Sequence, residues 1–544
     1  MRINEAMLRG RNQNRSTVAC TNGVVCTSQP LASMAGVDVL KQGGNAVDAA
    51  VCANAMLGLV EPMSCGPGGD LFAIVWIEKE NRLYGLNACG RSPYEWDLDA
   101  ARALGLTETI PPYSPLSWSV PGCVSGWAAL IERFGSRTLA AVLEPAIHYA
   151  SEGFPVSPII ATEWRFDPAE FPTLAQCFMP DGAPLRFGDV FRNPDLAGLY
   201  GELAQGGHAA FYEGRAAERV AACSRTGGGR LALRDMAEHT VDWVEPVKTT
   251  YRGYEVWEIP PNGQGIAVLQ MLNLLERYDI SALEPNSPEH LHLFVEAKKL
   301  AYEDRAVYYA DMDLADVPLD RLISKEYADA RAAHIDPKRA SDRVEEGIPD
   351  QSDTVYLAAA DAEGNMVSLI QSIYHGWGSH IVPEGLGFAM QNRGMSFALD
   401  PGHRNRLEPH KRPFHTIIPG FVTKAGRPVF AFGVMGGDFQ PQGQVQVLMN
   451  LIDFGMSPQQ AGDRPRVAHE GSSTPEGQAG TGGGRVCFEP GFPDATKHAL
   501  AGMGHDLAGT TGAFGGYQGI WREDNPRRYF AGSDPRKDGC AAGY

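Results

Sequence analysis

Hydrophobic positions along the chain fall into two periods. Val24-Val25-Cys26-Thr27, Leu71 to Trp76, Leu83 to Ala88, Tyr254 to Ile259 and Val429 to Val434 are short apolar or alternating runs bounded by turn residues, and each predicts a strand. Leu31 to Leu40, Ala46 to Val60, Leu143 to Glu152, Ile266 to Leu275, His290 to Tyr309 and Gln444 to Phe454 repeat at helical spacing. Residues 160–245 read as mainly helical. Asn45 is a suitable N-cap for Ala46 to Val60, whose small side chains on every face predict tight packing against neighbours. On His290 to Tyr309 the charges Glu296, Lys298, Glu303, Asp304 and Arg305 predict a solvated, ion-paired face. Thr354 to Ala360, the turn Asp361 to Asn365, and Met366 to Ser372 predict a hairpin, with Asn365 a turn residue. Polar residues 338–353 before it predict an exposed loop, and the glycine-rich stretch 471–485 a flexible one.

Composition changes this picture little. With 544 residues, 44% hydrophobic and 21% charged, the chain is long enough for two lobes around a large core. A net charge of −18 argues against a nucleic-acid partner, which needs a basic face. The first residues have no apolar core of a secretory signal, and no run is apolar and long enough to cross a bilayer. Ten cysteines without CxxC spacing read as reduced thiols, so a cytoplasmic location is expected, with no metal or other cofactor. Gly66-Pro67-Gly68-Gly69 lacks GxGxxG and precedes a strand, so it predicts a tight turn and not a phosphate cradle.

The candidate chemistry lies at Asp353-Thr354. A Thr opening a strand is ordinarily only a good β-former. If the chain cuts itself between Asp353 and Thr354, Thr354 becomes an N-terminal residue carrying both nucleophile and base. A hydroxyl needs a base to attack at neutral pH, and a free α-amine of pKa about 8 is one.

The motifs around that pair, in order, resemble the γ-glutamyltranspeptidase family of N-terminal-nucleophile hydrolases. The matching stretches are Gly43 to Pro62, Gly66 to Asp70, Pro121 to Gly126, Pro145 to Phe154, Phe211 to Gly214, Pro260 to Gly265, Asp353 to Asn365, Lys411-Arg412-Pro413, Gly433 to Asp438, Ile452 to Met456, Pro465-Arg466-Val467 and Ser533 to Tyr544. The resemblance implies an α+β fold, a four-layer αββα sandwich. It also implies self-cleavage into a large segment, 1–353, and a small one, 354–544, which stay associated, with a dimer of such pairs possible in the family.

By that resemblance Thr354 is the nucleophile, Ser372 supports it with a hydroxyl, and Gly436 and Gly437 form the oxyanion hole. Where the family holds a substrate α-amino group with Asn, Gln and Asp, this chain has Tyr374, Arg393 and Ser396. The family's paired serines become His415 and Thr416, and the segment from Phe397 to Lys411 is shorter than the family's lid. His415 reads equally as a substrate contact or a packed core histidine. Arg91, after a strand end, reads equally as a second carboxylate contact or a surface residue.

The carboxylate that would pair with an ammonium is gone, and a cation has appeared at Arg393. The expected substrate is therefore a small amide bearing a carboxylate and no α-amine. The stretches Gln391 to Gly394, Arg412 to Thr416 and Gly436 to Gly443 resemble a branch that includes oxamate amidohydrolase. Alternatives are a dicarboxylic acylase of the glutaryl or cephalosporin type, a γ-glutamyl hydrolase or transferase, and, in another class, an unprocessed non-catalytic binding protein.

Overall fold

A computed structural model describes residues 15–342, 352–480, 482–509 and 514–544. The expectation of an exposed loop over 338–353 falls largely outside those residues.

Two seven-stranded sheets dominate. Their strands, in chain order, are β1 (Val18–Cys20), β2 (Val24–Thr27), β3 (Asp70–Ile77), β4 (Arg82–Ala88), β5 (Asp242–Val244), β6 (Val247–Tyr251), β7 (Tyr254–Glu258), β8 (Ser352–Ala360), β9 (Met366–His375), β10 (Gly420–Lys424), β11 (Arg427–Met435), β12 (Gly516–Glu523), β13 (Arg528–Ser533) and β14 (Cys540–Gly543). One sheet runs β14-β2-β8-β9-β3-β4-β5 and the other β1-β13-β12-β11-β10-β7-β6. Neighbours in both are antiparallel.

Side-chain alternation builds the layers. Val355, Leu357 and Ala359 of β8, with Leu71, Ala73 and Val75 of β3, face a core shared with helices α1 (Pro30–Lys41) and α2 (Ala46–Val60). Tyr356, Ala358 and Ala360, with Phe72 and Ile74, face inward onto Phe421, Ala431 and Ile520 of the second sheet. The outer face of that sheet, through Val422, Phe430 and Phe432, meets α3 (Ile266–Leu275), α4 (Pro288–Tyr308) and α5 (Gln440–Ile452). Helix, sheet, sheet, helix is the expected αββα order. The sheets approach closely at Gly433, where a Cβ would lie 2.3 Å from the Tyr356 ring.

The expected 354–360/366–372 hairpin forms, with Tyr356 opposite Ile370 and Ala360 opposite Met366. Asn365 is a turn residue, donating to Asp361 Oδ2 at 2.8 Å.

Helix α4 corrects its expectation. Glu296, Lys298, Asp304 and Arg305 are buried, not solvated. Their charges are met inside: Lys299 donates to Glu296 at 2.8 Å, Lys298 to Ser472 Oγ at 2.7 Å, and Arg305 to Asp438 at 2.8 Å. The 471–485 stretch is accordingly tied to α4 through Ser472, and Ser472 and Thr474 are buried. No helix among the described residues is long and apolar enough to cross a membrane.

Candidate active site

Thr354 stands near the start of β8, fully buried. Pairing steps from Asp353↔Tyr374 to Val355↔Gln371, so Ser372 and Ile373 together oppose Thr354. Such a bulge re-aims side chains. Here Thr354 Oγ1 donates to Ser372 Oγ at 3.2 Å. Ser372 Oγ is itself held by the Tyr374 N–H at 2.8 Å, which leaves it oriented toward Thr354.

The turn Gly436-Gly437 packs against β8. Gly436 has φ 120° and Gly437 φ 52°, conformations that favour glycine. Gly437–Phe439 forms a short 3-10 turn that runs directly into α5. The first N–H groups of a helix have no intrahelical acceptor and sit at its positive end, which suits a developing oxyanion. The Gly436 carbonyl accepts from Phe439 N at 2.9 Å, which sends the N–H of the same trans peptide, that of Gly437, the opposite way.

Arg393 and Ser396 bound a 3-10 turn, where positions i and i+3 eclipse, so both lie on one face. Arg393 is fully buried, donates to Thr416 Oγ1 at 3.1 Å and stands 3.7 Å over the Tyr374 ring. Thr354, Ser372, Tyr374, Arg393 and Thr416 are thus one continuous chain of contacts. The Ser396 hydroxyl is buried and has no hydrogen-bond partner among the described residues.

His415 and Arg91 stand differently. His415 Nδ1 accepts from Ile417 N at 3.3 Å and Nε2 faces Asp70 Oδ2 at 3.1 Å, so both nitrogens are committed inside the protein. Burial, and then the nearby Arg393 cation, push its pKa down to about 4 against the pull of Asp70. Of the two readings left open by the sequence, these contacts are those of a packed core histidine. The Arg91 guanidinium is taken by Asp313 at 3.2 Å and Asp242 at 3.6 Å, which Arg412 shares. Of its two readings, these contacts make Arg91 part of an ion-paired cluster.

Asp70 closes the matching stretch Gly66 to Asp70 but carries no role in the sequence reading. It pairs across from Ser372, and its carboxylate accepts from Gly90 N at 2.9 Å, Gly122 N at 3.2 Å and Gln391 Nε2 at 3.1 Å. Asp70, Cys89 and His415 are close enough for their ligand atoms to share a metal ion. Those donors occupy Asp70 Oδ1, and Oδ2 faces His415 Nε2 at 3.1 Å. The signals in the sequence are its place at the end of that stretch and a charged residue opening a buried apolar strand.

A family model described as gamma-glutamyltranspeptidase matches residues 32–544. The chain belongs to the γ-glutamyltranspeptidase family. It is an N-terminal-nucleophile hydrolase whose relatives are made as proenzymes. Among γ-glutamyltranspeptidase relatives, the glutathione hydrolase-like YwrD proenzyme of Bacillus subtilis is 37% identical over 97% of this chain and all of its own. The oxamate amidohydrolase proenzyme of Klebsiella pneumoniae is 32% identical over 97% of this chain and all of its own. The crystal structure of a cephalosporin acylase from Bacillus halodurans superposes with a TM-score of 0.89 at 42% identity, covering 98% of this chain and 97% of that one. One family fold therefore carries several named activities, and the family alone does not choose among them.

Proposed function

We propose that the chain cuts itself between Asp353 and Thr354 and that the new N-terminal Thr354 hydrolyses the amide bond of a small carboxylate-bearing amide such as oxamate. The buried Arg393 carries this reading. It shares one 3-10 turn with Ser396, which stands where the family has its ammonium-binding Asp, and is one contact chain away from Thr354. An α-ammonium beside it would be repelled in a dry site, whereas a carboxylate would be met by a charge-assisted bond.

In the proposed reaction the Thr354 α-amine takes the Oγ1 proton as the oxygen bonds to the amide carbon. The oxyanion is held by the N–H groups of Gly436 and Gly437. The amine of Thr354 then gives its proton to the leaving nitrogen as the C–N bond breaks. Water, deprotonated by the same amine, attacks the resulting ester, and the acid leaves with Thr354 restored. Self-cleavage uses the same hydroxyl on the Asp353 carbonyl. Arg393, with Ser396 and Thr416 beside it, receives the acyl carboxylate.

A dicarboxylic acylase is the second reading, favoured by the 42% identity to a cephalosporin acylase. It shares the carboxylate requirement and differs in acyl length. Processed enzyme is assayed with oxamate for ammonia release, and with glutaryl- and γ-glutamyl-p-nitroanilide for dye release. The proposal expects turnover of oxamate above the γ-glutamyl compound. Preferred glutaryl turnover selects the second reading, and preferred γ-glutamyl turnover overturns both.

A further inference from the structure

The Pro260 to Gly265 motif carries a residue that the proposed chemistry has not used. Gln264, at the entry to α3, is fully buried. Its Nε2 donates to the Gly437 carbonyl at 2.9 Å and to the Thr416 carbonyl at 2.8 Å. Its Oε1 accepts from Arg305 Nη1 at 2.7 Å. A guanidinium can only donate, so Arg305 fixes which way the amide faces and directs both amide hydrogens at the two carbonyls. Arg305 in turn forks onto the Asp438 carboxylate at 2.8 and 3.1 Å. It stacks 4.0 Å over the ring of Tyr302, whose hydroxyl donates to the Asp438 carbonyl.

Gly436 and Gly437 have no side chains to hold them. The carbonyls of Gly437 and Asp438 are held from outside the turn, by Gln264 and Tyr302. The same Gln264 amide grips Thr416, whose hydroxyl receives Arg393. It therefore joins the place where the oxyanion forms to the place where the acyl carboxylate would sit.

We infer that Gln264, oriented by Arg305, is a positioning residue that fixes the oxyanion turn against the acyl-binding wall. The inference rests on the proposed role of Gly436 and Gly437 as donors to the tetrahedral intermediate. Those donors matter more in the transition state than in the bound substrate, so loosening the turn lowers kcat and spares KM.

The test is Gln264→Met, which keeps length and volume and removes both donors. Removing an oxyanion donor outright costs about 100- to 1,000-fold in kcat, so displacing one is expected to cost about 10- to 100-fold. The expected result in matured Gln264→Met is that loss in kcat with KM within about threefold, and a matching loss of affinity for a boronate that mimics the tetrahedral state. An unchanged kcat, or a loss carried by KM alone, overturns the inference. Should Gln264→Met fail to fold or mature, Tyr302→Phe, which deletes one oxygen at the same turn, is read by the same split. Its expected loss is about 3- to 10-fold, and no loss overturns the inference. If wild-type enzyme turns over none of the amides, the proposed substrate fails. The positioning role is then read from self-cleavage, which Gln264→Met is expected to slow about 10-fold or more and which an unchanged rate would contradict.

Discussion

Arg393→Met removes the charge that separates the proposed substrate from a γ-glutamyl amide, while keeping much of the side-chain volume over Tyr374. The size of the effect follows from the site. Arg393 is fully buried and already gives one N–H to Thr416, so a substrate carboxylate would share the guanidinium with that hydroxyl. Two unit charges about 4 Å apart at an effective dielectric of about 20 attract by about 4 kcal/mol. Desolvating the carboxylate returns part of this, leaving about 2–4 kcal/mol, or about 30- to 1,000-fold in kcat/KM. The assay compares oxamate with oxamide, which replaces the carboxylate by a neutral amide of nearly equal size. The charge term is the difference between the two substrates in wild type and variant, a thermodynamic cycle that cancels general damage to the pocket. Oxamate turnover is expected to fall by that factor and oxamide turnover by less than about fivefold, with self-cleavage intact. If the two substrates fall together, Arg393 only braces Tyr374 and Thr416, and the substrate argument is refuted.

Three further outcomes are expected. Thr354→Ala leaves the full-length chain in denaturing mass spectrometry, where the wild type shows two fragments meeting at 353/354. His415 titrates at about 4 in the fold against about 6.5 unfolded, so stability is independent of its charge above 6.5 and falls by about 3 kcal/mol as pH drops from 6.5 to 4. His415→Asn should flatten that part of the stability-against-pH curve, measured by urea unfolding, and an unchanged slope would assign the acid sensitivity elsewhere. Glu258 is fully buried with neither carboxyl oxygen hydrogen-bonded among the described residues, and burial raises its pKa well above 4.5. It holds its proton when the unfolded chain has lost it, so it costs stability as pH rises above 4.5. Glu258→Gln should melt higher than wild type at pH 7.5 and converge with it toward pH 4.5.

The elements that hold Thr354 were readable because each obeys a local rule. The hairpin alternates with period two and turns at Asp361 to Asn365, α2 is capped by Asn45, and Gly436-Gly437 follow a buried strand. The hydroxyl pair Thr354–Ser372 followed from the order of motifs, although the bulge that aims it is a matter of pairing and leaves no mark on either strand alone. The supporting residues were hidden for the opposite reason. Arg305 and Lys298 look like the solvated face of a charged helix, and only the sheet and the 471–485 stretch packed around α4 turn that face inward. His415 and Arg91 have the right chemistry for a substrate contact, but Asp70, Asp242 and Asp313 reach them first from distant parts of the chain.

The strand order has a consequence for the life history of the molecule. In the first sheet β8 and β9 lie between β2 and β3, and in the second β10 to β13 lie between β1 and β7. A cut before Thr354 would divide the chain into two pieces that are threaded through one another like the teeth of a closed zip. Neither piece carries a complete sheet, so neither retains the instructions to rebuild one alone. The order of assembly is written in a single covalent chain and would be erased by that cut. The mature enzyme would then outlive its own folding pathway, and an unfolded copy would be discarded, not recovered.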